Sequence, residues 1–171
     1  MRNKFICTAQ CYIKKDGKTL LLQRYKKEND QHEGKWLGIG GHLELGETSD
    51  EAMIREMKEE TGLIPLELNF KGIITFPNFN GKGEDEIVYF YTCDKFEGQL
   101  IDCNEGRLEW IDDEKVKDLN LWEGDRIYFQ WMKENRFFVG KIVYEKEKVV
   151  DYTVKFYWYL NISIKTIEFC K

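Results

Sequence analysis

The run from Gly41 to Leu63 constrains this chain more than any other stretch: a glycine-containing loop, a bounded amphipathic segment and a second glycine stop. Thr48 with Glu51 three residues on is a capping-box pattern, and Gly62 stands where a left-handed residue ends a helix. The pattern predicts a helix over Ser49–Thr61, anchored to a sheet by an apolar stripe of Met53, Ile54 and Met57. Glu56, Glu59 and Glu60, at i, i+3 and i+4, share one face of that helix near its C-terminus. Each like-charge pair at such spacing costs roughly 0.2–0.5 kcal/mol. Negative charge also opposes the macrodipole at that end. Arg55 and Lys58 relieve part of the repulsion, and a bound hard cation reverses its sign. Mg²⁺ suits such oxygen ligands, because it takes one or two carboxylates and keeps positions for water and phosphate oxygens. A solvated acidic face is the competing reading of the same spacing.

Gly41, Glu47, Arg55, Glu56, Met57, Glu59, Glu60, Gly62 and Leu63 fill every defined position of the pattern Gly-x5-Glu-x7-Arg-Glu-U-x-Glu-Glu-x-Gly-U, with U a bulky aliphatic residue. At ordinary residue frequencies the fixed positions alone match by chance on the order of once in a hundred million starts. The chain thus resembles the Nudix hydrolases. That resemblance implies an α/β/α sandwich, with a mixed β-sheet packed between helices and the box as a loop-helix-loop. It also implies a divalent metal, Mg²⁺ or Mn²⁺, held by the Gly41 carbonyl and by Glu56, Glu59 and Glu60. Glu56 is the expected acceptor of the proton of an attacking water, with Glu59 and Arg55 in the same catalytic set. Arg55 reads as an organiser that pairs with Glu47 or a neighbouring carboxylate.

The rest of the chain fits one domain around this box. Phe5–Ile13 and Thr19–Gln23 are rich in strand formers, with Asp16-Gly17 as a hairpin turn. A polar loop over 23–35 follows and holds Arg24, Lys26 and Lys27. The lysines read as solvated, whereas Arg24 ends a strand leading towards the glycine loop and is a candidate phosphate contact. His42 is a loop residue or a phosphate contact. Leu66–Phe76 and Glu86–Thr92 read as strands around a loop at 78–85. Asp113–Leu119 is a short helix candidate, and Trp122-Glu-Gly-Asp125 leads into a helix given bulk by Ile127, Phe129, Trp131 and Met132. Phe137–Tyr144 and Val149–Tyr157 form a last strand pair. Residues 1–157 make the domain; 158–171 are an apolar, β-prone extension, a candidate edge strand or dimer contact.

The formal net charge of −5 argues against a basic nucleic-acid surface. It also makes an anionic substrate costly to bind without metal. Five scattered cysteines, one of them Cys170, lack a CxxC pair, which favours free thiols in a reducing cytoplasm over zinc or disulfides. No stretch has the length and apolarity of a membrane span. The expected partner is a nucleotide, for a monomer or a homodimer.

The resemblance extends almost to Tyr157 and is closer to the branch that includes MutT-type 8-oxo-dGTP diphosphatases and the mammalian oxidised-purine nucleoside triphosphatase. In that branch a glutamate ahead of the strand bearing a tryptophan completes the metal site; Glu105, ahead of Trp110, occupies that place. The base is read by an acidic pair after a tryptophan and by an asparagine before the glycine loop. Here Trp122 is a stacking platform or core packing, and Asp125 matches one acid. The other acid falls at Gly124, and the asparagine falls at Leu37, which leaves an apolar wall. The implied reaction is hydrolysis of an oxidised purine dNTP to monophosphate and pyrophosphate. ADP-ribose or dinucleoside polyphosphate hydrolysis, and a silent nucleotide-sensing module, are the alternatives.

Overall fold

A computed structural model describes residues 4–25 and 31–158. The expectations for Lys26, Lys27, Cys170 and the extension after Trp158 fall outside these residues.

The chain opens with a long hairpin, β1 (Lys4–Lys15) and β2 (Lys18–Arg24). Asp16 (φ 49°) and Gly17 (φ 74°) both take left-handed backbone, as the two-residue turn between twisted strands requires. The two strands pair only over Ile13–Lys15 and Lys18–Leu20 before they part. Two short strands fill the gap: β3 (Trp36–Leu37) pairs with the end of β2, and β4 (Ile39–His42) pairs with Thr8–Cys11 of β1. The glycine stretch expected to be loop is thus partly strand. Its small residues let β4 run close to β1, where a Cβ on Gly40 would collide with the Ala9 carbonyl.

β5 (Leu63–Phe76), β6 (Glu84–Gly98), β7 (Gly106–Asp112), β8 (Phe137–Glu145) and β9 (Lys148–Tyr157) complete the sheet. Its order is β3-β2-β1-β6-β5-β8-β9, with β4 beside β1 and β7 beside β2. β1 runs parallel to β6 and β5 parallel to β8, and the other pairs are antiparallel, so the sheet is mixed.

One long helix covers each face. Strand alternation sends Ala9, Cys11, Ile13, Leu20 and Leu22 towards α1 (Ser49–Thr61), whereas Tyr12, Leu21 and Phe90 face α2 (Glu123–Met132). This is the expected α/β/α arrangement. α1 has the predicted bounds: Thr48 Oγ1 accepts the Glu51 N–H at 3.2 Å, Glu51 returns the bond to the Thr48 N–H at 2.8 Å, and Gly62 (φ 74°) caps the far end. Its buried stripe is Ala52, Met53, Met57, Glu60 and Thr61. Ile54, expected in that stripe, is 43% exposed, since it lies one helical step round from Met53. On α2 the buried bulk is Tyr128 and Trp131, with Ile127, Phe129 and Met132 only partly covered. The helix expected over Asp113–Leu119 is a single 3-10 turn, Val116–Asp118. Cys7, Cys11, Cys93 and Cys103 are free thiols. Among the described residues, no helix is long and apolar enough to cross a membrane.

Candidate active site

Where β1 and β2 part, the sheet leaves a cavity of about 460 Å³. β4 delivers Gly40 and Gly41 to one end of it, and the last turns of α1 face them. Arg55 is the hub of this end. Its Nε and Nη2 bind both oxygens of Glu47 at 2.7 and 2.9 Å, and Nη2 also donates to the His42 carbonyl at 3.0 Å. Nη1 donates to Glu56 at 2.7 Å and reaches Glu59 at 3.4 Å. The two-point bond to Glu47 fixes the guanidinium plane and so fixes Glu56. The Arg55 bonds, with a 2.8 Å bond from the Glu44 N–H, hold the Glu47 carboxyl at a pKa of about 2.

Glu60 is the unusual member. Only 6% exposed, it accepts the Gly40 N–H at 3.0 Å. Burial pushes its pKa up to about 8 against that bond, and the charges of Glu105 and Glu56 add to the rise. Glu105 enters from the residue before β7, where Arg24 at the end of β2 donates to it. Glu56, Glu60, Glu105, Arg24 and Gly41 all line the cavity. Glu59 does not: its side chain is 61% exposed, so of the three box acids on this face of α1 it is the one at the solvent edge.

Among the described residues, no three His, Cys, Asp or Glu side chains stand as a ready-made metal cluster. Glu56 is turned to Arg55, Glu105 to Arg24, and Glu60 to a backbone N–H. The donor set nevertheless fits a hard divalent cation. Its ligand atoms are oxygens, Glu60 is ionised only at a cost that positive charge would remove, and a Cβ on residue 41 would collide with the Glu56 carboxylate.

The other end of the cavity is aromatic. Trp122, 7% exposed, donates from Nε1 to His32 Nδ1 at 3.0 Å and meets Phe79 and Tyr144 edge-on. Lys35 Nζ lies 4.6 Å from the centre of its ring. Trp122 is therefore a well-packed wall of the cavity. Leu37 on β3 lines the same space. Asp125 is 5% exposed and accepts from the Trp122 N–H at 3.1 Å and the Tyr128 hydroxyl at 2.7 Å. Burial raises its pKa to about 7, although both bonds favour the ionised form. Tyr128 bonds in turn to the Tyr12 hydroxyl at 2.7 Å, a buried chain running into the core.

Sequence reasoning missed His32, Phe79, Tyr128 and Tyr144 in this wall. Tyr128 carried a usable signal, three residues after Asp125 on one helix face. Tyr144 carried none, since only the pairing of β8 in the sheet brings it over the start of α2.

A family model described as NUDIX domain matches residues 8–132. The oxidized purine nucleoside triphosphate hydrolase of Danio rerio is 33% identical over 117 residues, which cover 68% of this chain and 74% of that relative. The ADP-ribose pyrophosphatase of Methanocaldococcus jannaschii is 36% identical over 103 residues, 60% of this chain and 54% of that one. The crystal structure of a MutT protein from Bacillus halodurans superposes with a TM-score of 0.76 at 26% identity, covering 88% of this chain and 97% of that one.

Proposed function

Since the chain belongs to the NUDIX domain family and is a hydrolase of the MutT type, we propose that it cleaves a nucleoside triphosphate, 8-oxo-dGTP or a related oxidised purine dNTP, to the monophosphate and pyrophosphate. The observation that carries this reading is the two-ended cavity, with acids and Arg24 at one end and an aromatic wall with a single buried acid at the other. One end suits a triphosphate with its counter-ion, and the other suits a purine. Such an activity removes damaged nucleotides ahead of DNA synthesis.

Gly41, Glu56, Glu59, Glu60 and Glu105 would supply oxygen ligands for Mg²⁺, or Mn²⁺ in its place. When bound, the cation supplies positive charge against the phosphate oxygens and makes water more acidic. Glu56 takes the proton of the attacking water. Arg55 holds Glu56 in place through its anchor on Glu47. The water oxygen bonds to phosphorus while one phosphorus–oxygen anhydride bond breaks, and pyrophosphate leaves. No serine or cysteine nucleophile is needed. Arg24 balances Glu105 and offers a second cation to the phosphates. Trp122 and Leu37 form apolar walls for the base, and Asp125 meets its edge.

The archaeal relative favours a second reading, hydrolysis of ADP-ribose or another nucleoside diphosphate derivative such as a dinucleoside polyphosphate. A silent nucleotide sensor is disfavoured by the intact box and by the Arg55 network, which a binding module has no need to keep. Incubation with 8-oxo-dGTP and ADP-ribose side by side in Mg²⁺, with chromatographic identification of products, separates these readings. Faster formation of 8-oxo-dGMP and pyrophosphate supports the proposal, and a wide preference for ADP-ribose refutes it.

A further inference from the structure

In the first turn of α2, Gly124 offers no side chain beside Asp125, yet the space is not empty. The Tyr144 hydroxyl stands there, accepting the Gly124 N–H at 2.7 Å. A Cβ on residue 124 would lie 2.6 Å from that oxygen, so a side chain at 124 and the phenol exclude each other. Glycine makes room, and Tyr144 fills it. The phenol is held in place by edge-on contacts with Phe79 at 5.0 Å and Trp122 at 6.0 Å between ring centres.

A phenol carries one proton to donate and lone pairs to accept. The helix N–H occupies one acceptor position, and among the described residues the hydroxyl donates no hydrogen bond, which leaves its proton for a ligand. Tyr144 lines the cavity together with Asp125. Resting on the reading of this cavity as a nucleotide site, we infer that Tyr144 is a specificity-determining residue whose hydroxyl donates to the base edge, selecting bases that present a keto oxygen there. Burial, with the nearby Asp125 and Glu123 charges, keeps the phenol protonated at neutral pH, so its donor role is fixed. Asp125 can change its role with protonation; Tyr144 cannot.

The test is calorimetric binding of three deoxynucleoside monophosphates, with 8-oxoguanine, guanine or 2-aminopurine as base, to the wild type, Tyr144→Phe and Gly124→Ala. Tyr144→Phe removes the donor. Gly124→Ala displaces the hydroxyl from the other side, in a helix where alanine is the better former. The wild type is expected to bind the two keto bases more tightly than 2-aminopurine, and both variants to compress that spread about tenfold, the scale of one lost hydrogen bond. A merely structural role would weaken all three nucleotides alike. Equal binding of all three by the wild type, or an unchanged spread in both variants, overturns the inference. The assay involves no hydrolysis, so the two claims fail separately. Compressed spread without triphosphate cleavage sinks the hydrolytic reading alone, and cleavage with unchanged spread sinks the role of Tyr144 alone.

Discussion

Asp125 offers a quantitative handle on the base end of the cavity. Its folded pKa of about 7 stands against an ordinary value of 3.8, and its burial is nearly complete. At 1.36 kcal/mol per unit, ionising it in the folded state costs about 4 kcal/mol more than in the unfolded chain. Because the folded pKa is the higher one, the native state holds the proton longer. Its stabilising effect is fully present below about pH 3.8, declines as pH rises towards 7, and is gone above that. Asp125→Asn removes the titration. It also leaves one of the two donors, the Trp122 N–H or the Tyr128 hydroxyl, without a full acceptor, a pH-independent loss of about 1–2 kcal/mol. The informative quantity is therefore the slope. Urea unfolding of both proteins in chelator from pH 5 to 8 should show the variant gaining about 3 kcal/mol on the wild type, most of it before pH 7. A difference that stays flat, or moves the other way, would refute the assignment of Asp125 as a buried carboxyl that protonates near neutrality. The wild-type KM for nucleotide should bend in the same pH range, and that bend should vanish in the variant.

Other predictions concern the acidic end and the core beneath it. Glu56→Gln should abolish turnover with an unchanged circular dichroism spectrum and melting temperature; near-wild-type activity would remove Glu56 from the chemistry. Arg55→Lys keeps the charge but cannot form the two-point bond to Glu47, so activity should fall about 10- to 100-fold, the usual scale for a residue that orients metal ligands. Met57→Ala, at a fully buried position, should cost about 2–5 kcal/mol in urea unfolding, whereas Ile54→Ala, at an exposed one, should cost well under half of that.

The parts of the fold set by local chemistry were legible in the sequence. The bounds of α1 follow from Thr48, Glu51 and Gly62, and the first hairpin from Asp16-Gly17. What depends on neighbours across the sheet was not. The glycines before the box signalled close backbone approach, but with no strand preference of their own they did not reveal that β4 pairs with β1. Ile54 looked like core on hydrophobicity, yet small Ala52 takes the inward position. The same limit applies to the site. Spacing put Glu56, Glu59 and Glu60 on one face, but only the rotation of α1 against β4 shows that Glu60 is buried on Gly40 while Glu59 looks outward. Arg24 and Glu105 were singled out separately, and their ion pair is a consequence of β2 pairing with β7. Tyr144 could be found only by asking what fills the space that Gly124 leaves.

The most direct test of metal-dependent triphosphate hydrolysis is steady-state pyrophosphate release from 8-oxo-dGTP and dGTP, alongside ADP-ribose cleavage, in Mg²⁺ and in chelator. The account predicts cleavage only with the cation, pyrophosphate as the leaving product, and the highest kcat/KM on 8-oxo-dGTP. Turnover undiminished by chelator, or orthophosphate in place of pyrophosphate, would contradict it.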